Sequence, residues 1–283
     1  MELQNKGRVV IVGAGPGDPE LITAKAIRYL QQADVVLTDR LVSDAILNNY
    51  VNKDAIVIHV GKQCRLGAST PQTEINRLMI EHAMQNKLVV RLKGGDASIF
   101  SNILDELQAL KQHQIPYEIV PGVTAALGAA AYAGMPLTAR GYSNAVRLMT
   151  YHKQDVIPDE YWEDLANTND TVIFYMSSGT LNELVAQLIR YNISKEKLLA
   201  VIEQATTPLQ NVHVTNIYDY HKKMGDEKFV SPSLVIIGKV VALHEQFRWV
   251  ENSNSKEYYF KPVASLKDTT QQGDKTKDNV ARA

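Results

Sequence analysis

Chemistry-bearing residues in this chain cluster in a few short runs. Asp39 and Arg40 stand side by side in TDRLVSD, Lys62 ends VGK, and Lys93, Gly94, Gly95 and Asp96 follow one another in LKGGDASIF. A carboxylate beside a cation suits proton transfer or charge neutralisation, and a nearby lysine suits proton donation or the pairing of an anion. Taken singly, an Asp-Arg pair is more often a surface salt bridge and Gly-Gly-Asp a plain turn. The run VVIVGAGPGDPELIT opens like a nucleotide-binding turn. A dinucleotide fingerprint places glycines first, third and sixth, the last letting helix and strand pack closely beside the pyrophosphate. Gly13 and Gly15 fit, but the sixth position is Asp18, whose charge opposes a phosphate, and Pro16 removes a backbone donor. The run is a poor phosphate cradle, yet still a tight glycine turn that lets backbone approach a ligand.

These runs need a scaffold that gathers them. Apolar stretches at Arg8–Val12, Asp34–Thr38, Ile56–Val60, Leu88–Leu92 and Tyr117–Val120 read as parallel strands buried on both faces. Leu21–Leu30, Ile75–Met84 and Ile103–Leu110 read as helices between them, and Thr70-Pro71 supplies a cap followed by proline at the first helical position. The chemistry-bearing runs then fall at carboxyl ends of predicted strands, where ligands collect in open α/β sheets. Alanine and glycine crowd residues 123–134, predicting a helix with a flat face, capped by Thr124. Close helix–sheet packing without a ligand explains that composition equally well.

Gly134, Pro136 and Gly141 break the pattern over Met135–Ser143. Strands follow at Ala145–Thr150, Thr171–Met176, Leu198–Glu203, Asn211–Thr215 and Ser233–Ile237, with one clear helix at Leu181–Arg190, which suggests a mixed sheet. The expected division is an N-terminal α/β domain over 1–134, a connection over 135–143, a C-terminal α/β domain over 144–250 and a disordered tail over 251–283.

Lysine plus arginine (30) nearly balance aspartate plus glutamate (31), for a formal net charge of −1. No global basic field steers the chain onto nucleic acid, so an anionic ligand must be held by local cations. The N-terminus does not read as a leader and no run of about 18 apolar residues suggests a membrane span, so a cytoplasmic protein without a membrane partner is expected. Cys64 is the single cysteine, which excludes an intrachain disulfide and a thiolate cluster within one chain. The histidines show no ligand spacing, and no metal site is expected. Walker, nucleophile-elbow and His-Glu-x-x-His motifs are missing, so phosphoryl, acyl and zinc chemistries lose their usual carriers.

Together, VGAGPGDPELIT, ADVVLTDRLVS, VGK, VVRLKGGD, IVPGVTAALGAAAYAGMPLT, VIFYM and SLVIIG resemble the uroporphyrinogen-III C-methyltransferases of the tetrapyrrole methylase superfamily, in the same order from about Arg8 to Leu243. The resemblance implies two α/β domains, an open and largely parallel N-terminal sheet, a mixed C-terminal sheet, an active-site cleft between them and a homodimer. It implies methylation of uroporphyrinogen III at C2 and C7 to precorrin-2, the branch point toward sirohaem and cobalamin. S-adenosyl-L-methionine would be the donor and S-adenosyl-L-homocysteine the product. The donor is a sulfonium cation without phosphate, which suits the opening turn.

Carried over by position, the resemblance assigns donor binding to Pro16, Gly94, Gly95, Asp96, Ile99, Thr124, Ala125, Met176 and Ala205. It assigns proton acceptance to Asp39 and proton donation to Lys62. The acceptor's carboxylates make Arg40, Arg140, Arg147 and Lys62 candidate clamps. Several runs depart from the family. Its Gly-Gly-Asp-Pro-Phe-Ile-Phe and glycine-rich continuation read here GGDASIF and SNILDE; its ENGT reads Glu203-Gln204-Ala205-Thr206; its THRD reads Thr138-Ala139-Arg140-Gly141. A methylase of another tetrapyrrole is one alternative. A nicotinamide-dependent oxidoreductase and a non-catalytic binding homologue are the others. Oxidation of precorrin-2 and iron insertion, carried by an additional nucleotide-binding region in fused sirohaem synthases, would fall to other proteins.

Overall fold

The computed structural model describes residues 7–63, 68–152 and 157–260, with only the backbone of Lys62, Gln63, Ala68 and Ser69. Cys64 and residues 261–283 of the expected tail lie outside the described residues. The described residues form two compact units, one from residues 7–15 and Pro19–Val123 with Phe260, the other from Pro16–Asp18 with Thr124–Tyr259.

The first unit runs β1 (Arg8–Gly13), α1 (Ala24–Gln32), β2 (Val35–Thr38), α2 (Asp44–Tyr50), β3 (Ile56–His59), the short pair β4 (Lys62–Gln63) and β5 (Ala68–Ser69), α3 (Gln72–Met84), β6 (Leu88–Lys93), α4 (Ile103–Gln112) and β7 (Tyr117–Val120). Its sheet is ordered β3-β2-β6-β1-β7 and every pairing is parallel. Strand periodicity divides the apolar residues between two faces. Val10, Val12, Val36, Val90 and Leu92 pack with Ala26, Tyr29, Leu30 and Ile46, whereas Val9, Ile11, Val35, Leu37 and Val89 pack with Ile75, Met79, Ala83 and Leu110. Helix α1 starts at Ala24 instead of Leu21, because Pro19–Leu21 forms a separate 3₁₀ turn and the Thr23 hydroxyl caps the helix through the Ala26 N–H at 3.2 Å. At α3 the cap position falls on Pro71, one residue later than Thr70-Pro71 suggests, and no side chain caps it.

The second unit runs α5 (Ala125–Tyr132), β8 (Val146–Thr150), α6 (Asp159–Asn167), β9 (Thr171–Tyr175), α7 (Leu181–Arg190), β10 (Leu198–Glu203), β11 (Asn211–Asn216), α8 (Tyr220–Met224), β12 (Ser233–Gly238) and α9 (His244–Phe247). Its sheet is ordered β11-β10-β12-β9-β8, with β8 parallel to β9 and the remaining pairs antiparallel. One face packs on Trp162 and Leu165 of α6 and Leu184, Val185 and Leu188 of α7. The other packs on Ala126, Ala129, Ala130 and Ala133. That alanine seam puts α5 with the second sheet, so the units divide after Val123 and not after Gly134. Residues 251–260 are also not a free tail: side-chain and backbone hydrogen bonds fasten Asn252, Asn254, Ser255, Glu257 and Tyr259 to the segment 204–212.

The glycines after β1, β6 and β7 explain each other. Gly15 and Gly95 exchange two backbone hydrogen bonds (3.0 and 2.7 Å), and a Cβ on Gly13 would stand 2.6 Å from the Gly122 nitrogen and 2.7 Å from the Gly95 oxygen. Three loops meet here main chain to main chain. Gly13→Ala should therefore destabilise the protein by about 2 kcal/mol or more, read from the urea midpoint, because backbone on both sides cannot yield to a methyl group.

Candidate functional site

In the first unit, β2 delivers Asp39 to the carboxyl edge of the sheet, its N–H bonded to the Leu92 carbonyl at 3.0 Å. Its carboxylate meets Arg91 of β6 (Oδ1 to Nη2, 2.6 Å) and remains 27 % exposed. Behind it the charges continue inward: Arg91 Nε donates to Glu106 at 2.9 Å, and Lys93 Nζ donates to both Glu106 oxygens at 2.9 and 3.0 Å. Arg91, Lys93 and Glu106 are all buried. Burial works against the Arg91 cation, but the Asp39 and Glu106 carboxylates outweigh it and hold the guanidinium protonated beyond its ordinary range. For Lys93, burial and then repulsion from Arg91 prevail, so it holds its proton less tightly than an ordinary lysine. Asp39 is thus a partly exposed carboxylate clamped at the end of a buried chain of alternating charge.

In the loop after β6, Asp96 makes the closing contacts. Oδ1 accepts from the Ser98 N–H at 2.8 Å and Oδ2 from the Gly122 N–H at 2.9 Å, so the side chain assigned to the donor ties two loops together. A Cβ on Gly94 would meet Leu41 at 2.8 Å, which keeps that backbone bare. Ile99 is half-buried in the same loop, followed by Phe100 and Asn102 with φ of 50° and 57°. Left-handed backbone at such residues is held by its surroundings at about 1–3 kcal/mol each.

The candidate cations separate. Arg40 is half-buried, burial lowers its pKa, and neither a hydrogen bond nor an ion pair engages it among the described residues. Arg140 is exposed on the turn closed by the Ala139–Ser143 bridge. Arg147 is not free: Asp164, Asp170 (2.5 Å) and Thr168 (3.1 Å) occupy its guanidinium, fixing β8 to α6 and the following loop. Its expected role as a clamp gives way to internal ion pairing. The Lys62 backbone lies on β4, and its side chain is outside the described residues.

In the second unit, Pro16 packs against α5, where a Cβ on Gly128 would come 2.6 Å from its Cγ. Asp18 is held by the Tyr132 hydroxyl, and its N–H donates to Thr206 Oγ1 at 3.1 Å. Thr124 occupies the cap position of α5, but its hydroxyl pairs with the Tyr175 hydroxyl at 2.7 Å, and Tyr175 accepts from the Ala126 N–H at 3.1 Å. Tyr175 therefore caps the helix that carries Thr124 and Ala125. Met176 follows with φ 55° and a side chain 58 % exposed, an apolar group offered outward from a fixed strand end. Ala205 is buried between Gln204 (φ 47°) and Thr206 (φ 66°). Among the described residues no helix is long and apolar enough to cross a membrane.

The model of the family described as Tetrapyrrole (Corrin/Porphyrin) Methylases matches residues 8–220. The chain belongs to the tetrapyrrole methylase family. This methylase is 41 % identical over 261 residues to the siroheme synthase of Vesicomyosocius okutanii, covering 92 % of this chain and 54 % of the relative, so it spans about half the length of such curated relatives. The uroporphyrin-III C-methyl transferase of Thermus thermophilus, complexed with S-adenyl homocysteine, superposes with a TM-score of 0.70 at 34 % identity over 84 % of this chain and all of that one. A cobalt precorrin-4 methyltransferase superposes at 0.73 with 30 % identity, covering 83 % of this chain and 95 % of that one.

Sequence reasoning overlooked the parts of this methylase that act from behind. Arg91 and Glu106 went unmarked and Lys93 was placed in a loop, yet two charges at i and i+2 in the apolar run VVRLK point to one face of a buried strand and demand a carboxylate partner. Nothing local marked Tyr175. Glu203, buried at the end of β10, accepts from the Val230 N–H and from His213 at 3.0 Å.

Two stability measurements follow. Glu106→Gln leaves Arg91 and Lys93 facing each other without their shared anion and should lower unfolding free energy by about 3–5 kcal/mol. Burial alone would raise the Glu203 pKa, but His213, the Val230 amide and Lys256 hold it below its ordinary 4.5. Its stabilisation is therefore present above pH 4.5 and lost as pH falls through the depressed folded value. Glu203→Gln should flatten the acid limb of stability against pH below 4.5; an unchanged limb would remove Glu203 from that account.

Proposed function

We propose that this methylase transfers methyl groups from S-adenosyl-L-methionine to C2 and C7 of uroporphyrinogen III, releasing S-adenosyl-L-homocysteine and giving precorrin-2 for the sirohaem and cobalamin branches. The observation that carries the reading is the clamped, partly exposed Asp39 beside unpaired Arg40. It stands in a chain that spans the full length of a uroporphyrin-III C-methyl transferase complexed with S-adenyl homocysteine.

The residues present fit the donor. In the first unit the side-chain-free Gly94 and Gly95 and half-buried Ile99, and in the second unit Pro16, the Thr124-Ala125 start of α5, Ala205 and the exposed Met176 thioether, suit a ligand without phosphate. The donor supplies an electrophilic methyl on sulfur; a pyrrole carbon forms a bond to it as the methyl–sulfur bond breaks. What this chain contributes is orientation and charge. Asp39, unable to swing away from Arg91, accepts the proton lost from the alkylated carbon or offsets positive charge on the ring. Arg40 and Arg140 pair with acceptor carboxylates, and Lys62 donates a proton or binds a further carboxylate.

A second reading keeps the donor and changes the acceptor to another tetrapyrrole, favoured by the likeness to the cobalt precorrin-4 methyltransferase. The proposal includes a cytoplasmic homodimer. An open apolar groove of about 800 Å³ beside α5, lined by Leu127, Met135, Leu137, Leu148 and Phe247, supports association, and sedimentation should show a dimer.

An anaerobic assay with S-adenosyl-L-methionine and uroporphyrinogen III should add two methyl groups, read by mass after oxidation; donor binding with no methyl gained would reject this acceptor. Asp39→Asn should reduce turnover about 100-fold or more with little change in donor affinity. Equal loss of both would reject the assigned role.

A further inference from the structure

Residues 252–259 are fastened across the second unit by an unusual set of bonds. The Asn252 side chain takes both backbone groups of Val212, accepting from its N–H at 2.8 Å and donating to its carbonyl at 3.0 Å. Asn211 does the reverse, accepting from the Asn254 N–H at 2.7 Å and donating to the Ser255 carbonyl at 3.0 Å. Gln204 accepts from the Tyr259 N–H at 2.7 Å and donates to the Glu257 carbonyl at 2.9 Å. A carboxamide offers one acceptor and one donor side, as a peptide group does. Along β11, the outer strand of its sheet, the Asn211 and Asn252 side chains substitute for the missing neighbouring strand.

The strap therefore ends on Gln204, and Gln204 is fully buried. It begins the tight segment in which Gln204 and Thr206 both adopt left-handed backbone. A β-branched residue with such a φ persists only where its surroundings over-determine it. The surroundings here are identifiable: Gln204 N–H donates to the Pro232 carbonyl at 2.7 Å, Thr206 N–H donates to Gln210 Oε1 at 2.8 Å, and Ser253 N–H donates to the Gln210 carbonyl at 3.0 Å. Strap and loop share Gln204 and Gln210 as common anchors. The family run ENGT reads EQAT here, so a side chain one methylene longer than asparagine reaches the strap from the first of the two left-handed positions, Gln204 and Thr206.

We propose that residues 252–259 are a positioning element of the methyl-donor site, gripping Gln204 so that the backbone of Ala205 is presented to the donor. The inference rests on reading this chain as an S-adenosyl-L-methionine-dependent methylase. Gln204 and Asn252 are positioning residues: they act through Ala205.

The test is calorimetric binding of S-adenosyl-L-homocysteine to the full chain and to Gln204→Leu and Asn252→Ala, with KM for uroporphyrinogen III measured in parallel. The expected result is donor Kd raised about tenfold in Gln204→Leu and less in Asn252→Ala, with acceptor KM unchanged in both. A strap that only seals the edge of β11 would lower Tm in both variants and leave donor Kd where it was, and that result overturns the proposal. Should Gln204→Leu not fold, Asn252→Ala, which changes a side chain bonded to the Val212 backbone of β11, decides the matter by the same criterion. A native chain that binds no donor overturns the methylase reading and this inference with it; native binding with unaltered affinity in the variants overturns this inference alone.

Discussion

The buried chain of charge from Lys93 through Glu106 and Arg91 to Asp39 is the constraint around which the first unit is organised. Its sheet is apolar on both faces, and a lone ion there would be prohibitive, so each charge must find its opposite within hydrogen-bond reach. That requirement sets where α4 lies against β6 and where β2 ends. It also closes the loop between them from both sides, since Lys93 precedes the loop and Glu106 follows it. Gly94, Gly95, Asp96 and Ile99 are consequently carried on a segment whose two ends are pinned, and the left-handed Phe100 and Asn102 are tolerated because neither end can relax. Replacing such a network by apolar groups is often neutral for stability; what it supplies here is the fixed orientation of one carboxylate at the surface.

The glycines serve the same purpose by other means. Gly13, Gly95 and Gly122 are small because three strand-end loops touch through their backbones, and Asp96 then ties two of those loops with its carboxylate. A turn that looks like a phosphate cradle is a joint between loops. In the second unit, rigidity comes from side-chain groups instead: the Tyr175 hydroxyl at the start of α5, and carboxamides around the loop after β10.

Much of this was legible. Apolar runs of β6 and β10 located strands to within a residue, because burial on both faces leaves a continuous signal. The parallel first sheet and the mixed second sheet followed from how many helices separate the strands. Helix α6 did not, since only Trp162, Leu165 and Ala166 of DEYWEDLAN are buried. The unit boundary differs from the expected one because the alanine-rich sequence of α5 does not say which sheet it packs on, and its alanines pack on the second. Residues 251–260 looked disordered because composition measures apolar burial, and this segment is held by amide hydrogen bonds. The proposed site positions fall in loops at strand ends; of the groups behind them, Arg91 and Lys93 left a signal in VVRLK, whereas Glu106 and Tyr175 are partners set by three-dimensional proximity. Arg147 illustrates the converse, a plausible clamp whose partners on α6 and its following loop were not apparent from sequence.

On the proposed reading, Arg91 acts by holding Asp39 in place for methyl transfer. A double-mutant cycle of Asp39→Asn and Arg91→Met, measured as single-turnover methyl transfer at saturating donor, tests it most directly. If the account holds, each single variant slows transfer and the double variant is no slower than Asp39→Asn alone, since Arg91 has then lost the group through which it acts. Losses that multiply in the double variant would show that Arg91 contributes independently of Asp39 and would contradict the account.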